Sequence, residues 1–183
     1  MAKQYYLIPD QSGKSFSGAG VSDGSFIPTG AILCTEQQFN NFSSYAPSNG
    51  QVVSVPVSQL LTQAQAEQIA IITQACATAI TSGFTSSALG SAHTYPSSLT
   101  DQANLAANVV SSLMPGLPST WTTPQPCQDA SGVWAYVDHT AAQIQQVGSD
   151  GKAAILGYLT KKASLQAEIE AATTVAAVQA IVW

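Results

Sequence analysis

At Ser58 the spacing of apolar residues changes, and the change divides the chain. Before it, apolar runs are short, carry many of the aromatics and are broken by Gly, Ser and Pro. After it, Leu61, Ala64, Ile69, Ile72, Cys76, Ala79 and Ile80 recur at steps of one to five residues. The first pattern fits short strands joined by turns, the second an apolar stripe along a helix. The expected fold is therefore α+β, with a small β-rich N-terminal module over residues 1–57 and a mainly α-helical domain over 58–183 that carries a short two-stranded β element.

Within the module, Tyr5 to Pro9, Gly30 to Cys34 and Gln51 to Val55 read as strands. Asp10 to Gly24 reads as loops or one long hairpin tip, and Thr35 is placed to cap a helix reaching Tyr45 with Phe39 and Phe42 on one face. In the second part, Thr62-Gln63-Ala64-Gln65 matches a capping box, and Gly83 suits the residue that ends a helix. A second helix is predicted from Thr100 or Asp101 with Leu105, Val109 and Leu113 on its inner face, halted by Met114-Pro115-Gly116. Ser91 to Tyr95 and Val133 to Val137 are candidates for the strand pair, and the segment Pro115 to Ser131, with four of the nine prolines, is an extended loop. Thr140-Ala141-Ala142-Gln143 opens a helix predicted to end at Gly148, Asp150 caps the next, and Thr173 or Thr174 caps a last one carrying Val175, Val178 and Ile181. Trp183 is expected to fold back on its own domain, since its large apolar area is costly to leave in water.

Charge limits the partners. There is no arginine, and no positive side chain stands between Lys14 and Lys152. Charged residues make up 8% of the chain against a usual value of roughly 25%, and the net charge is -5. Nucleic acid and anionic membranes are both engaged through basic patches, which five lysines against ten acids cannot assemble, so neither is an expected partner. Ser, Thr, Gln and Asn must supply the solvated surface, with little like-charge repulsion between copies. The start lacks the apolar core of a secretory signal, and no apolar run approaches the roughly 20 residues that span a bilayer.

The search for chemistry finds little. Gly20-Val21-Ser22-Asp23-Gly24 fits G-x-S-x-G but lies in a Gly-rich loop rather than between a strand and a helix. Gly13-Lys14-Ser15 ends like a phosphate-binding loop, yet Ile8 stands where its first glycine belongs. Cys34, Cys76 and Cys127 are widely spaced and read as buried thiols rather than metal ligands. His93 and His139 each have an acid nearby in sequence, Asp101 and Asp138, but structural roles suit both better. No catalytic residue, metal ligand or cofactor is therefore assigned.

The stretch from about Ile80 to Trp183 resembles a domain of unknown function that recurs in tail proteins of tailed bacteriophages and in prophage remnants. The matching residues are Gly83-Phe84, Gly90, Tyr95, Asp101-Gln102-Ala103-Asn104-Leu105, Trp134, His139-Thr140-Ala141-Ala142-Gln143, Ala171-Ala172-Thr173-Thr174 and Ile181-Val182-Trp183. Phe26-Ile27-Pro28-Thr29-Gly30-Ala31-Ile32, followed by Thr35-Glu36-Gln37-Gln38-Phe39, also looks like phage tail fibre assembly proteins. Those proteins carry more charge and a different C-terminal half, which weighs against a pure chaperone.

The resemblance implies a non-enzymatic subunit of the virion, made in the host bacterial cytoplasm and bound to the tail fibre or baseplate. The second reading is a chaperone that caps the fibre during trimerisation; a third, of another class, is a hydrolase of cell-surface polymer built around His93 or His139. For protein contact the candidates are Tyr5, Tyr6, Phe26, Phe39 and Phe42, because buried aromatics dominate interface energetics. A module of this size buries little apolar area alone, so docking to a partner or assembly into a homo-oligomer is its expected support.

Overall fold

A computed structural model of the protein describes residues 3–183. The fold is α+β, a β-rich N-terminal region followed by a helical one. The chain forms two compact units, residues 1–64 and 65–183, and the division falls inside one helix.

In the first unit, β1 (Gln4–Pro9) lies at the centre of a three-stranded antiparallel sheet, between β2 (Phe16–Ser22) and β3 (Ile32–Cys34). The stretch read as loop thus contains a full strand. Its glycines are tolerated because β1 supplies what they lack: Tyr6 pairs with Gly20, and its ring occupies the space that a Cβ at Gly20 would take. The predicted helix from Thr35 is also shorter. Thr35 caps α1 (Glu36–Asn40) in a full capping box, but Asn41 turns its side-chain amide back to the carbonyl of Gln37 at 3.0 Å and leaves helical geometry, after which Phe42–Ser44 make one 3₁₀ turn. A hairpin follows, β4 (Tyr45–Ser48) with β5 (Gln51–Ser54), turning on Asn49 and Gly50 at φ 50° and 74°. Asn-Gly favours that turn because both positions need positive φ.

The division lies within α2 (Val57–Thr81), which starts five residues before the Thr62 box. Thr62 is inside the helix and bonds back to the carbonyl of Ser58 at 3.0 Å. The remainder of α2 belongs to the second unit, where Ile72 and Cys76 are buried and Gln68 donates to the carbonyl of Ile181 at 2.6 Å.

The second unit holds a four-stranded antiparallel sheet rather than a strand pair, in the order β6 (Phe84–Ser86), β7 (His93–Tyr95), β8 (Thr122–Gln128), β9 (Trp134–Thr140). The partner of β9 is β8, out of the proline-rich stretch, and not β7. Prolines suit β8 because backbone donors alternate between a strand's two edges, so Pro124 and Pro126 remove donors from one edge only. On its other side β8 registers with β7 only at Gln128, and the Asn108 amide reaches the carbonyl of Pro124 at 3.4 Å.

Helix α3 (Leu99–Ser112) starts one residue earlier than expected, because Ser98 and Asp101 form its capping box. Leu105 is buried, but Leu113 is the C-cap and stands 65% exposed. The two helices expected on either side of Gly148 are one, α4 (Ala141–Ala171), capped by Thr140. Gly148 and Gly151 allow close packing instead of ending the helix: a Cβ would come within 2.7 Å of Val109 at the first and 2.8 Å of Phe84 at the second. Asp150 is no cap; its carboxylate accepts from Ser86 Oγ at 2.5 Å and Gln146 Nε2 at 2.7 Å. Thr174 caps α5 (Val175–Gln179), whose Val178 is buried. Phe84, Tyr95, Leu105, Cys127, Ile144 and Val147 form the core between sheet and helices.

Candidate functional site

The two histidines, the candidates for a catalytic reading, differ in their surroundings. His139 is fully buried at the end of β9. Its Nδ1 lies 2.8 Å from the carbonyl of Val137, which can only accept, so the proton sits on Nδ1. Nε2 is then an acceptor, and the Tyr95 hydroxyl donates to it at 2.8 Å. Burial pushes the imidazole below its ordinary value, and the same burial pushes the neighbouring Tyr95 hydroxyl and Cys127 thiol up. All three groups are therefore held neutral, and Phe84 stacks on Tyr95 at 5.6 Å. His93 points its Nδ1 at the carbonyl of Ser91, 2.9 Å away. Among the described residues neither ring hydrogen-bonds a carboxylate, and no group of three or more His, Cys, Asp or Glu is placed to hold a metal ion. Cys76 and Cys127 are buried as expected, whereas Cys34, near the end of an edge strand, is only half-buried.

The five aromatics chosen for protein contact separate. Tyr5 and Phe39 pack on each other at 5.2 Å, and Tyr6 covers Gly20, so these three build the module. Phe26 is 71% exposed and Phe42 is at the edge of exposure. Phe26 is thus the member of the set with most surface to offer.

A larger apolar surface lies in the second unit, between α3 and α4, and no residue of it was singled out from sequence as a contact. The groove there measures about 660 Å³, with Phe84, Leu105, Val109, Val110, Ile155 and Leu156 among its lining. Gly148 and Gly151 also line it, at the positions where Val109 and Phe84 pack against α4. Two of the groove's polar side chains are already engaged: Gln102 donates to the carbonyl of Ser97 at 2.9 Å, and Gln145 to Ser112 Oγ at 3.1 Å. Lys152 is the charged residue at the edge. An occupant would meet mostly apolar carbon, the character of an interface core. Val110 is next to Val109 of the predicted inner face, and that extra apolar position was the one signal for the groove.

Trp183 turns back as expected, its ring 6.4 Å from Tyr158 with the Lys161 ammonium 4.5 Å over it. Among the described residues no helix is long and apolar enough to cross a membrane.

The profile of a protein family described as Domain of unknown function (DUF4376) matches residues 63–182. No curated protein and no solved structure matches the chain.

Proposed function

The chain belongs to the DUF4376 family, and we propose that it is a non-enzymatic adaptor of a bacteriophage tail, holding the tail fibre or baseplate through protein contacts. The observation that carries this reading is the apolar groove between α3 and α4, where Val110 is 61% and Leu156 52% exposed. Exposed apolar patches rimmed by polar groups mark sites that a partner covers. The tail itself enters through the motif resemblance of residues 80–183, and the low charge of the surface suits a subunit packed among others.

The test is mass spectrometry of purified phage particles from a lysogen or phage that encodes the chain. A stable tail subunit is recovered at a fixed ratio to the tail fibre or baseplate proteins. A protein present in the infected cell but missing from mature particles overturns the adaptor reading and leaves the assembly chaperone.

A further inference from the structure

A second, smaller pocket of about 250 Å³ opens where α3 meets the edge of β8 that pairs with β7 only at Gln128. It lies wholly within the 65–183 unit. Asp101, Asn104 and Asn108 line it from the helix, Gln125 and Tyr136 from the β8–β9 hairpin. Its chemistry differs from that of the groove, because here polar groups are left unspent.

Gln125 is 1% exposed, yet only half of its amide is engaged. Its Oε1 accepts from Asn108 Nδ2 at 2.9 Å, and the same Nδ2 donates at 3.4 Å to the carbonyl of Pro124, which can only accept, so the orientation of both amides is fixed. Gln125 Nε2 has no hydrogen-bond partner among the described residues. Fully buried side-chain nitrogens and oxygens without a partner are absent among those residues, so Nε2 keeps its contact with solvent. A nearly buried amide nitrogen thus keeps an N–H to offer an incoming acceptor.

The surroundings add complementary groups. The Asn104 amide has no partner among the described residues, and Asp101 spends Oδ2 on the Ser98 amide at 3.0 Å while Oδ1 stays open. Tyr136 is 77% exposed and presents its ring with an unengaged hydroxyl. Two residues back on the same face of β9, Trp134 is 51% exposed. Side chains two apart on a strand share a face at a spacing of roughly 7 Å.

The ligand class follows by elimination. An anion is disfavoured because the charged group in the lining is Asp101 and no cation stands there. A cation could stack on Tyr136, but it would set its positive charge against the Gln125 N–H groups. A purely apolar ligand would leave Gln125, Asn104 and Asp101 unpaired, which sites built from polar groups reject strongly. What remains is a neutral molecule with an apolar face for the ring and an edge of groups that both donate and accept. A sugar ring has that form. We propose that this pocket binds a neutral saccharide, one ring stacked on Tyr136 with its hydroxyls on Gln125 Nε2, Asn104 and Asp101 Oδ1, and an adjoining ring directed toward Trp134.

This site is separate from the groove and does not depend on a location in a tail. The test titrates the full chain with neutral oligosaccharides of glucose, mannose, galactose and N-acetylglucosamine, following backbone amide resonances by NMR. At least one series is expected to shift the signals of Asn104, Gln125 and Tyr136 at millimolar concentration or below. Tyr136→Ala and Asn104→Ala, both at exposed positions, should each weaken that binding by about tenfold while leaving the melting temperature unchanged. The proposal is overturned if no series shifts these signals, or if the shifts survive Tyr136→Ala. It is equally overturned if a lysine-rich peptide shifts them where no sugar does.

Discussion

His139 donates to a backbone carbonyl with one nitrogen and accepts the Tyr95 hydroxyl with the other, an arrangement available only to the neutral ring. Protonation would put a second N–H against the Tyr95 oxygen and a charge into the core beside Cys127. The folded-state pKa is depressed by burial, so the unfolded chain takes up this proton first. Stability contributed by the neutral ring is present above the unfolded value of about 6.5, and it is lost progressively as pH falls from there toward the folded value. The carboxylates with lowered values, Asp10 at about 2 and Asp23, titrate further down and leave this window to His139. Thermal melts across pH 8 to 5 should therefore fall in wild type. His139→Gln should start lower, by about 1 to 3 kcal/mol through loss of a fitted acceptor for Tyr95, and then stay flat. An equal slope in both proteins would assign the pH response elsewhere.

The three glycines of α4 separate two reasons for having no side chain. At Gly157 nothing lies within 4 Å of where a Cβ would be, whereas Gly151 faces Phe84 at 2.8 Å. Gly157→Ala removes the entropic penalty of a helical glycine and should stabilise by about 0.5 to 1 kcal/mol. Gly151→Ala gains the same term but pushes against a ring in the core, and should destabilise by about 1 to 3 kcal/mol. Denaturant titration of the two variants decides it, and two changes of the same sign would contradict the packing described for this helix. The same glycines show why sequence reading split α4: a glycine that ends a helix and one that admits a neighbour look alike until the neighbour is known. Local signals fared better, since the capping residues Thr35, Thr140 and Thr174 and the buried Leu105, Ile72 and Cys76 act within one or two turns of chain. Strand β8 was hidden for the opposite reason. Its prolines forbid a central strand by propensity and are permitted only because one edge of the strand is nearly unpaired, a fact of tertiary arrangement. The Asn49-Gly50 hairpin, by contrast, was legible and missed. For the contact surface, sequence pointed to aromatics of the first unit, most of which build that unit's own packing, while the groove depends on two helices that are distant in the chain.

A surface with so few charges restricts how the whole molecule can associate. Ion pairs across an interface weaken with salt, because charges separated by more than roughly 10 Å are screened at 0.1 M ionic strength. Burial of apolar area does not weaken in that way and instead shows as a negative heat-capacity change. If the α3–α4 groove is the docking surface, capture of the tail fibre or baseplate partner should persist from low to high salt. Val110→Asp combined with Leu156→Asp would place two carboxylates in the groove's apolar lining. Both positions are more than half exposed in the free chain, so each substitution should change folding stability by no more than about 0.5 kcal/mol. Each buried apolar side chain is worth about 1.5 to 3 kcal/mol, so losing two and burying two charges should reduce partner capture by far more than tenfold. Incorporation of the double variant into phage particles measures this directly. Recovery at the wild-type ratio, with unchanged melting, would show that the groove is not what the tail holds, and would move the contact to Phe26 and the first unit.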